Sequence, residues 1–184
     1  MDDTNASDRV LALDIRPKRI GYVVLEGPTR LLDWGVSSIA NRAESSETVA
    51  KKRVGALLDW YSPTVAVGRR IKTSDKHSSR RLAPIVRAVR GEVSRGGAAW
   101  RILGADAVRA FFREYRATNK VEIASTLAEW YPNLAWKLPP KRKPWQSEDH
   151  RMSVFDAAAL GTAYLALQPD KAREKTVQSN DENP

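Results

Sequence analysis

The sequence Val10-Leu11-Ala12-Leu13-Asp14-Ile15 is a short apolar run that carries a carboxylate near its end. Its length and composition predict a buried β-strand. Two further apolar runs, 20–26 and 31–36, follow after short segments with turn-forming proline or glycine. We therefore predict three consecutive strands that form a meander, with Asp14 on the first of them.

The rest of the apolar pattern alternates between helical and strand-like periods. Helical spacing predicts helices over about 46–61, 79–94, 105–115, 121–130 and 149–167. The short runs 64–67 and 99–103 predict a fourth and a fifth strand. This order indicates an α/β fold, a mixed five-stranded sheet with helices on both faces, in which the first, fourth and fifth strands are parallel.

The length of 184 residues fits one domain. Residues 1–8 and 169–184 are polar and predict flexible tails, which leaves a folded domain over 9–168. The chain has no cysteine, which excludes disulfides and thiol chemistry. The polar N-terminus does not resemble a signal peptide, and no apolar stretch reaches the ~20 residues that span a bilayer. We expect a cytoplasmic protein without a membrane segment.

The charge balance is strongly basic. Lys and Arg number 31 against 22 Asp and Glu, which gives a net charge of +9 and a pI of about 10.0. A basic surface favours phosphate backbones, and also anionic membranes, although small proteins can be basic without a specific partner. We expect a nucleic-acid partner, DNA rather than RNA.

Three segments together resemble the RuvC/YqgF branch of the RNase H-like superfamily: 11–26 (LALDIRPKRIGYVVLE), 118–123 (TNKVEI) and 155–160 (FDAAAL). Asp14 and Gly21 match the first hairpin of that branch, Lys120 matches a lysine at a helix start, and Asp156 matches a carboxylate on the final helix. The resemblance covers about 10–167. It implies an RNase H-like fold, and also a homodimer, although no residue marks a dimer interface.

The resemblance further implies hydrolysis of phosphodiesters by divalent cations, Mg²⁺ or Mn²⁺. Such a reaction needs several carboxylates within a few ångströms, because the metals stabilise the attacking and leaving oxygens. Asp14 and Asp156 would hold the metal, and Asp149 or Glu148 would complete the catalytic set. On a continuous helix Asp149 would lie about 10.5 Å from Asp156, too far to share one ion easily.

Two positions depart from the nuclease pattern. After the fourth strand, where the family carries a glutamate, the chain has Gly68 followed by Arg69 and Arg70. One turn before Asp156 it has Ser153 in place of a carboxylate. Gly68 is therefore expected to leave a gap in the ligand set, and the two arginines could bind phosphate.

Each carboxylate also has a purely structural explanation. Asp14 could start a turn at the end of its strand. Asp156 could pair with Arg151 or Arg16 instead of a metal. Asp149 could be a favourable charge at a helix N-terminus, and Lys120 could be a solvated side chain.

Basic side chains cluster in two segments that are expected to surround the same cleft. The candidate nucleic-acid ligands are Arg16, Arg69, Arg70, Lys72, Lys120, Lys141, Arg142 and Lys143. Trp136 and Trp145 flank the second segment and could either stack on an unpaired base or hold the loop against the core.

Three functional hypotheses follow. The first is a RuvC-like, metal-dependent endonuclease or resolvase relative that acts on structured or single-stranded nucleic acid. The second is a nucleic-acid-binding module that has kept the fold and lost the chemistry. The third is a basic protein-interaction subunit.

Overall fold

The computed structural model describes residues 9–71, 76–140, 145 and 148–168, except for the side chains of 76–78. The predicted tails, 1–8 and 169–184, lie outside these ranges. The strands are β1 Arg9–Arg16, β2 Arg19–Glu26, β3 Arg30–Ser38, β4 Val65–Arg69 and β5 Ala99–Leu103. The α-helices are α1 Ser46–Tyr61, α2 Lys76–Arg95, α3 Ala105–Arg113, α4 Lys120–Trp130 and α5 Met152–Ala166, with a 3₁₀ helix at Pro132–Lys137.

The five strands form one sheet in the order β3-β2-β1-β4-β5. β1, β2 and β3 are antiparallel neighbours, whereas β4 runs parallel to β1 and β5 parallel to β4. Helices α3, α4 and α5 cover one face of the sheet, and α1 and α2 cover the other. The predicted α/β class, meander and parallel strands are confirmed.

Local signals in the sequence explain where two of the helices begin. The side chain of Ser45 accepts a hydrogen bond from the backbone N–H of Thr48 and caps α1. Asn119 and Glu122 form a reciprocal capping box at the start of α4, which places Lys120 on its first turn. None of the described helices is long and apolar enough to cross a membrane.

Two predicted helix starts were wrong. Helix α2 begins at Lys76 and not at about 79, and Pro84 lies inside it. Packing of buried side chains such as Val89 stabilises α2 despite the missing proline N–H. Helix α5 begins at Met152 and not at 149, because the side chain of Asp149 accepts the backbone N–H of Arg151 and forms a turn before the helix.

Helix α5 is buried along its length, from Met152 to Tyr164, between the sheet and the other helices of its face. Two glycines allow this close approach. A Cβ on Gly21 of β2 would lie 2.2 Å from the carbonyl oxygen of Ser153, and a Cβ on Gly161 would lie 3.0 Å from that of Ala12. The tight contact places the start of α5, with Asp156, directly over the end of β1.

Candidate functional site

Asp14 and Asp156 lie together at the end of β1. Side chains alternate along a strand, and Ala12 packs in the cluster on the α5 face, so Asp14 points to the same face. Both carboxylates are almost fully buried. Arg16 joins them, because its Nε donates to Asp14 Oδ2 at 2.8 Å and its Nη2 to Asp156 Oδ2 at 2.9 Å.

Arg69 lies beside Asp14 on the neighbouring strand. The parallel register pairs Leu13 with Gly68. The next residue of each strand, Asp14 and Arg69, therefore points to the same face of the sheet. Nη2 of Arg69 is 3.1 Å from Asp156 Oδ1 and 3.7 Å from Asp14 Oδ1. Both carboxylates are therefore contacted by two guanidinium groups.

A third cation and a third carboxylate complete this arrangement. Nζ of Lys120 donates to Asp156 Oδ2 at 3.0 Å and to Glu148 Oε1 at 2.5 Å. We call the six residues the charge network: Asp14, Arg16, Arg69, Lys120, Glu148 and Asp156. Its three carboxylates balance its three cations, so its formal charge is zero.

The pKa values of the two central carboxyl groups, Asp14 and Asp156, are shifted in opposite directions. Burial raises the pKa of Asp14, and the nearby Asp156 adds to that rise, although Arg16 and Arg69 oppose it. Burial would also raise the pKa of Asp156, but Arg69, Lys120 and Arg16 outweigh it and hold this pKa below its ordinary value. Asp156 is thus the more strongly ionised carboxylate, because three cations contact it.

The residues of the charge network do not fit a divalent metal. A metal between Asp14 and Asp156 would need the oxygen atoms that Arg16 and Arg69 already contact, and it would lie against two positive groups. Among the described residues, no group of three or more Asp, Glu and His side chains is arranged to hold a metal ion. We therefore derive no chemical step through Mg²⁺ or Mn²⁺.

The expectation that Gly68 leaves a gap in the ligand set was wrong. Gly68 points to the opposite face of the sheet, where a Cβ would lie 2.5 Å from a ring carbon of Trp100. A one-residue offset along a strand reverses the face. The position beside Asp14 belongs to Arg69, so the departure from the nuclease pattern is a basic side chain that faces the carboxylates.

Ser153, the second departure, is buried one turn before Asp156 on α5. Its Oγ accepts a hydrogen bond of 2.8 Å from Nε of Arg19. The arginines on either side of the β1–β2 turn therefore both reach the start of α5, Arg16 at Asp156 and Arg19 at Ser153.

Asp149 was expected to assist a metal but makes its ion pair elsewhere. Its carboxylate accepts hydrogen bonds from the guanidinium of Arg151, at 2.7 Å for Nη2, and from the backbone N–H of that residue. These bonds lower the pKa of Asp149 to about 2. The contact holds the turn before α5 and leaves Glu148 as the neighbouring residue that joins the charge network.

Of the remaining candidate ligands, the structure describes only Arg70. The backbone N–H of Arg70 bonds to the carbonyl of Leu103, and its side chain is exposed. Lys72, Lys141, Arg142 and Lys143 lie outside the described residues. The side chain of Trp136 is exposed, although its ring meets that of Trp34 edge to face.

A cavity of about 260 Å³ opens beside the charge network. Its charged lining residues are Arg69, Arg109, Lys120 and Asp156, and apolar residues such as Ile123 and Phe155 also line it. A ligand in this cavity would meet side chains that already have partners within the chain.

The sequence interpretation missed the contact between Arg69 and the two aspartates. The alternation of buried side chains contains the signal: Val67 and Arg69 share one face of the fourth strand, as Ala12 and Asp14 share one face of the first. In contrast, the pairing of Arg16 with Asp156 was among the alternatives derived from the sequence, and the structure shows that contact.

No protein-family model matches this chain, and no curated protein matches its sequence. Several solved structures share its fold. Thermus thermophilus RuvC in complex with a Holliday junction substrate superposes with a TM-score of 0.65 at 16% identity, over 92% of this chain and 97% of that one. The yeast mitochondrial Holliday junction resolvase Ydc2 gives 0.63 at 12% identity, over 94% and 84%. The fowlpox virus resolvase gives 0.58 at 13%, over 87% and 99%.

These likenesses extend over 87–94% of this chain. They are too distant in sequence to carry over any residue's role. The chain has the RNase H-like fold in the form found in RuvC and related Holliday junction resolvases.

Proposed function

We propose that this protein binds nucleic acid, DNA in preference to RNA, and does not cleave it by metal-dependent hydrolysis. The single observation that carries the absence of metal-dependent cleavage is the position of Arg69. A guanidinium occupies the fourth-strand place beside Asp14 and contacts both buried aspartates. Loss of one partner of such a buried pair would leave an uncompensated charge, so these carboxylates are held by their cations and are not available to a metal.

The nucleic-acid part of the proposal rests on charge. The charge network is formally neutral, so the net charge of +9 lies outside it. An excess of cations around a neutral centre favours a polyanion through counterion release. The Thermus RuvC structure of the same fold contains a Holliday junction, which makes branched DNA the first ligand to test.

Binding and cleavage are measured on the same labelled substrates: a four-way DNA junction, a linear duplex of matching sequence, a single strand and an RNA duplex. We expect binding to DNA that weakens steeply between about 50 and 200 mM salt. We expect no product in Mg²⁺ or Mn²⁺ on any substrate.

Two results would overturn the proposal. Cleavage that disappears in Asp14→Asn would restore the endonuclease hypothesis. Binding that is absent or does not respond to salt would remove nucleic acid as the ligand, and a pull-down would then test the interpretation of the chain as a basic protein-interaction subunit.

A further inference from the structure

A second cavity, of about 390 Å³, lies beside the β1–β2 turn and outside the charge network. Among the described residues that line it, none is a carboxylate and five are basic: Lys18, Arg19, Lys137, His150 and Arg151. Val36 and Val154 contribute apolar wall. A concave surface with converging cations and no lining anion suits a ligand that carries negative charge.

Three of these cations have no carboxylate partner among the described residues. Arg19 bonds to a neutral hydroxyl, that of Ser153. Lys137 lies over the indole of Trp136, and Lys18 is exposed at the turn. Arg151 differs, because Asp149 neutralises it. A phosphate group would supply these three cations with the charged oxygen acceptors that the described residues do not give them.

The exposed ring of Trp136 contacts Lys137, which lines the cavity. Nζ of Lys137 lies 4.1 Å from the ring centroid of Trp136, and the side chain of Trp136 is 67% exposed. The edge-to-face contact with Trp34, at 5.5 Å between centroids, holds the indole in place. A flat apolar surface therefore lies next to Lys137, one of the basic residues that line the cavity, and could take a base while the cavity takes its phosphate.

We propose that this cavity and Trp136 together bind one unpaired nucleotide of a DNA strand. Its phosphate lies among Lys18, Arg19 and Lys137, and its base stacks on the indole of Trp136. The inference rests on the proposed function and narrows it, because an unpaired nucleotide occurs at strand ends, loops and opened branch points and not in continuous duplex.

The experiment compares a blunt DNA duplex with the same duplex that carries a single-stranded overhang, by fluorescence anisotropy. We expect the wild-type protein to bind the overhang substrate more tightly. Since one stacked base contributes about 1–3 kcal/mol, Trp136→Ala should weaken binding to the overhang substrate about fivefold or more and leave the blunt duplex unchanged. Trp136→Phe should retain part of the preference.

The phosphate side is tested with Lys18→Ala, which should weaken binding to the overhang substrate and reduce the slope of its salt dependence by about 0.7. The matched control for Trp136→Ala is Trp60→Ala, because Trp60 is 81% exposed on α1 at the opposite face of the sheet. A nucleoside monophosphate serves as competitor. Displacement of the overhang substrate at low micromolar concentration would assign the site to free nucleotides and overturn the strand assignment.

The inference fails if Trp136→Ala, with an unchanged melting temperature, binds the overhang substrate as the wild type does, or if Trp60→Ala loses as much affinity. In both cases the wild-type protein still binds DNA, so the proposed function stands. If the wild-type protein binds neither substrate, the proposed function itself fails.

Discussion

Arg69 of β4 contacts the carboxylates of Asp14 and Asp156 from the strand parallel and adjacent to β1. The distance from its Nη2 is 3.7 Å to Asp14 and 3.1 Å to Asp156. Two buried aspartates that face each other would repel, and Arg69 and Arg16 remove that repulsion. The two buried aspartates are thus neutralised by arginines of the chain itself.

Replacing Arg69 should therefore destabilise the fold. Loss of one partner of a fully buried ion pair costs about 3–5 kcal/mol, and partial exposure of the Arg69 side chain reduces this, so we expect a fall of about 2 kcal/mol in the free energy of unfolding for Arg69→Met. Urea denaturation measures it. Arg53→Met, an exposed position on α1, is the control and should stay within about 0.5 kcal/mol. Equal stability of the two variants would show that Arg69 does not neutralise the aspartates.

Arg69→Glu should create a metal site. The new carboxylate would join Asp14 and Asp156 on one face, so the apo form should be less stable than the wild type, and Mn²⁺ should raise its melting temperature. The wild type should not respond. Thermal denaturation with and without Mn²⁺ measures both effects.

Gly68→Glu is the matched control for that variant. Its side chain would point to the other face and clash with Trp100, so it should lose stability without gaining a response to Mn²⁺. A response in Gly68→Glu, or none in Arg69→Glu, would contradict the assignment of Arg69 to the face of Asp14.

Asp149 should contribute to stability only above strongly acidic pH. Hydrogen bonds from Arg151 lower the pKa of Asp149 from 3.8 to about 2, so the folded state favours the ionised form. The contribution is complete above the unfolded pKa and is lost as pH falls from about 4 to about 2. Because the pair is partly exposed, it amounts to less than about 1 kcal/mol. Asp149→Asn should lower the free energy of unfolding at neutral pH and reduce its fall between about pH 4 and about pH 2, measured by urea denaturation across this range. An unchanged fall in the variant would contradict this contribution of Asp149.

Gly21→Ala should disrupt the contact between β2 and α5. The added Cβ would lie 2.2 Å from the backbone oxygen of Ser153, and backbone cannot move aside cheaply. We expect a loss of about 3 kcal/mol or more in the free energy of unfolding. Gly91→Ala, in open space on α2, should instead stabilise by about 0.5–1 kcal/mol. Calorimetry of the two variants tests the pair, and similar melting temperatures would refute it.

The fold could be predicted because its signals are local. Each strand and helix shows its period within its own residues, and the order of strands and helices restricts the topology. The helix starts were less accurate. The pattern around Asp149 continues the helical period, but the Asp149 side chain accepts the backbone N–H of Arg151, so the helix begins only at Met152.

The candidate site could be predicted only in part, because its partners are distant in sequence. Arg16 and Asp156 are 140 residues apart, and only the folded sheet brings them together. The residue of the fourth strand that faces Asp14 is Arg69, one position after the predicted Gly68. In a strand a one-residue offset reverses the face of a side chain, so a basic side chain faces the carboxylates where a gap was expected.

The burial of α5 on all sides has a consequence for how the protein is made. The helix lies beyond residue 150, yet it covers β1 and β2, which are synthesised first. Until α5 arrives, the apolar face of that hairpin is open and Asp14 lacks Asp156. A ribosome-bound chain therefore exposes an apolar sheet face and has an incomplete charge network. Folding should be completed only after α5 has been synthesised, and earlier intermediates should depend on chaperones.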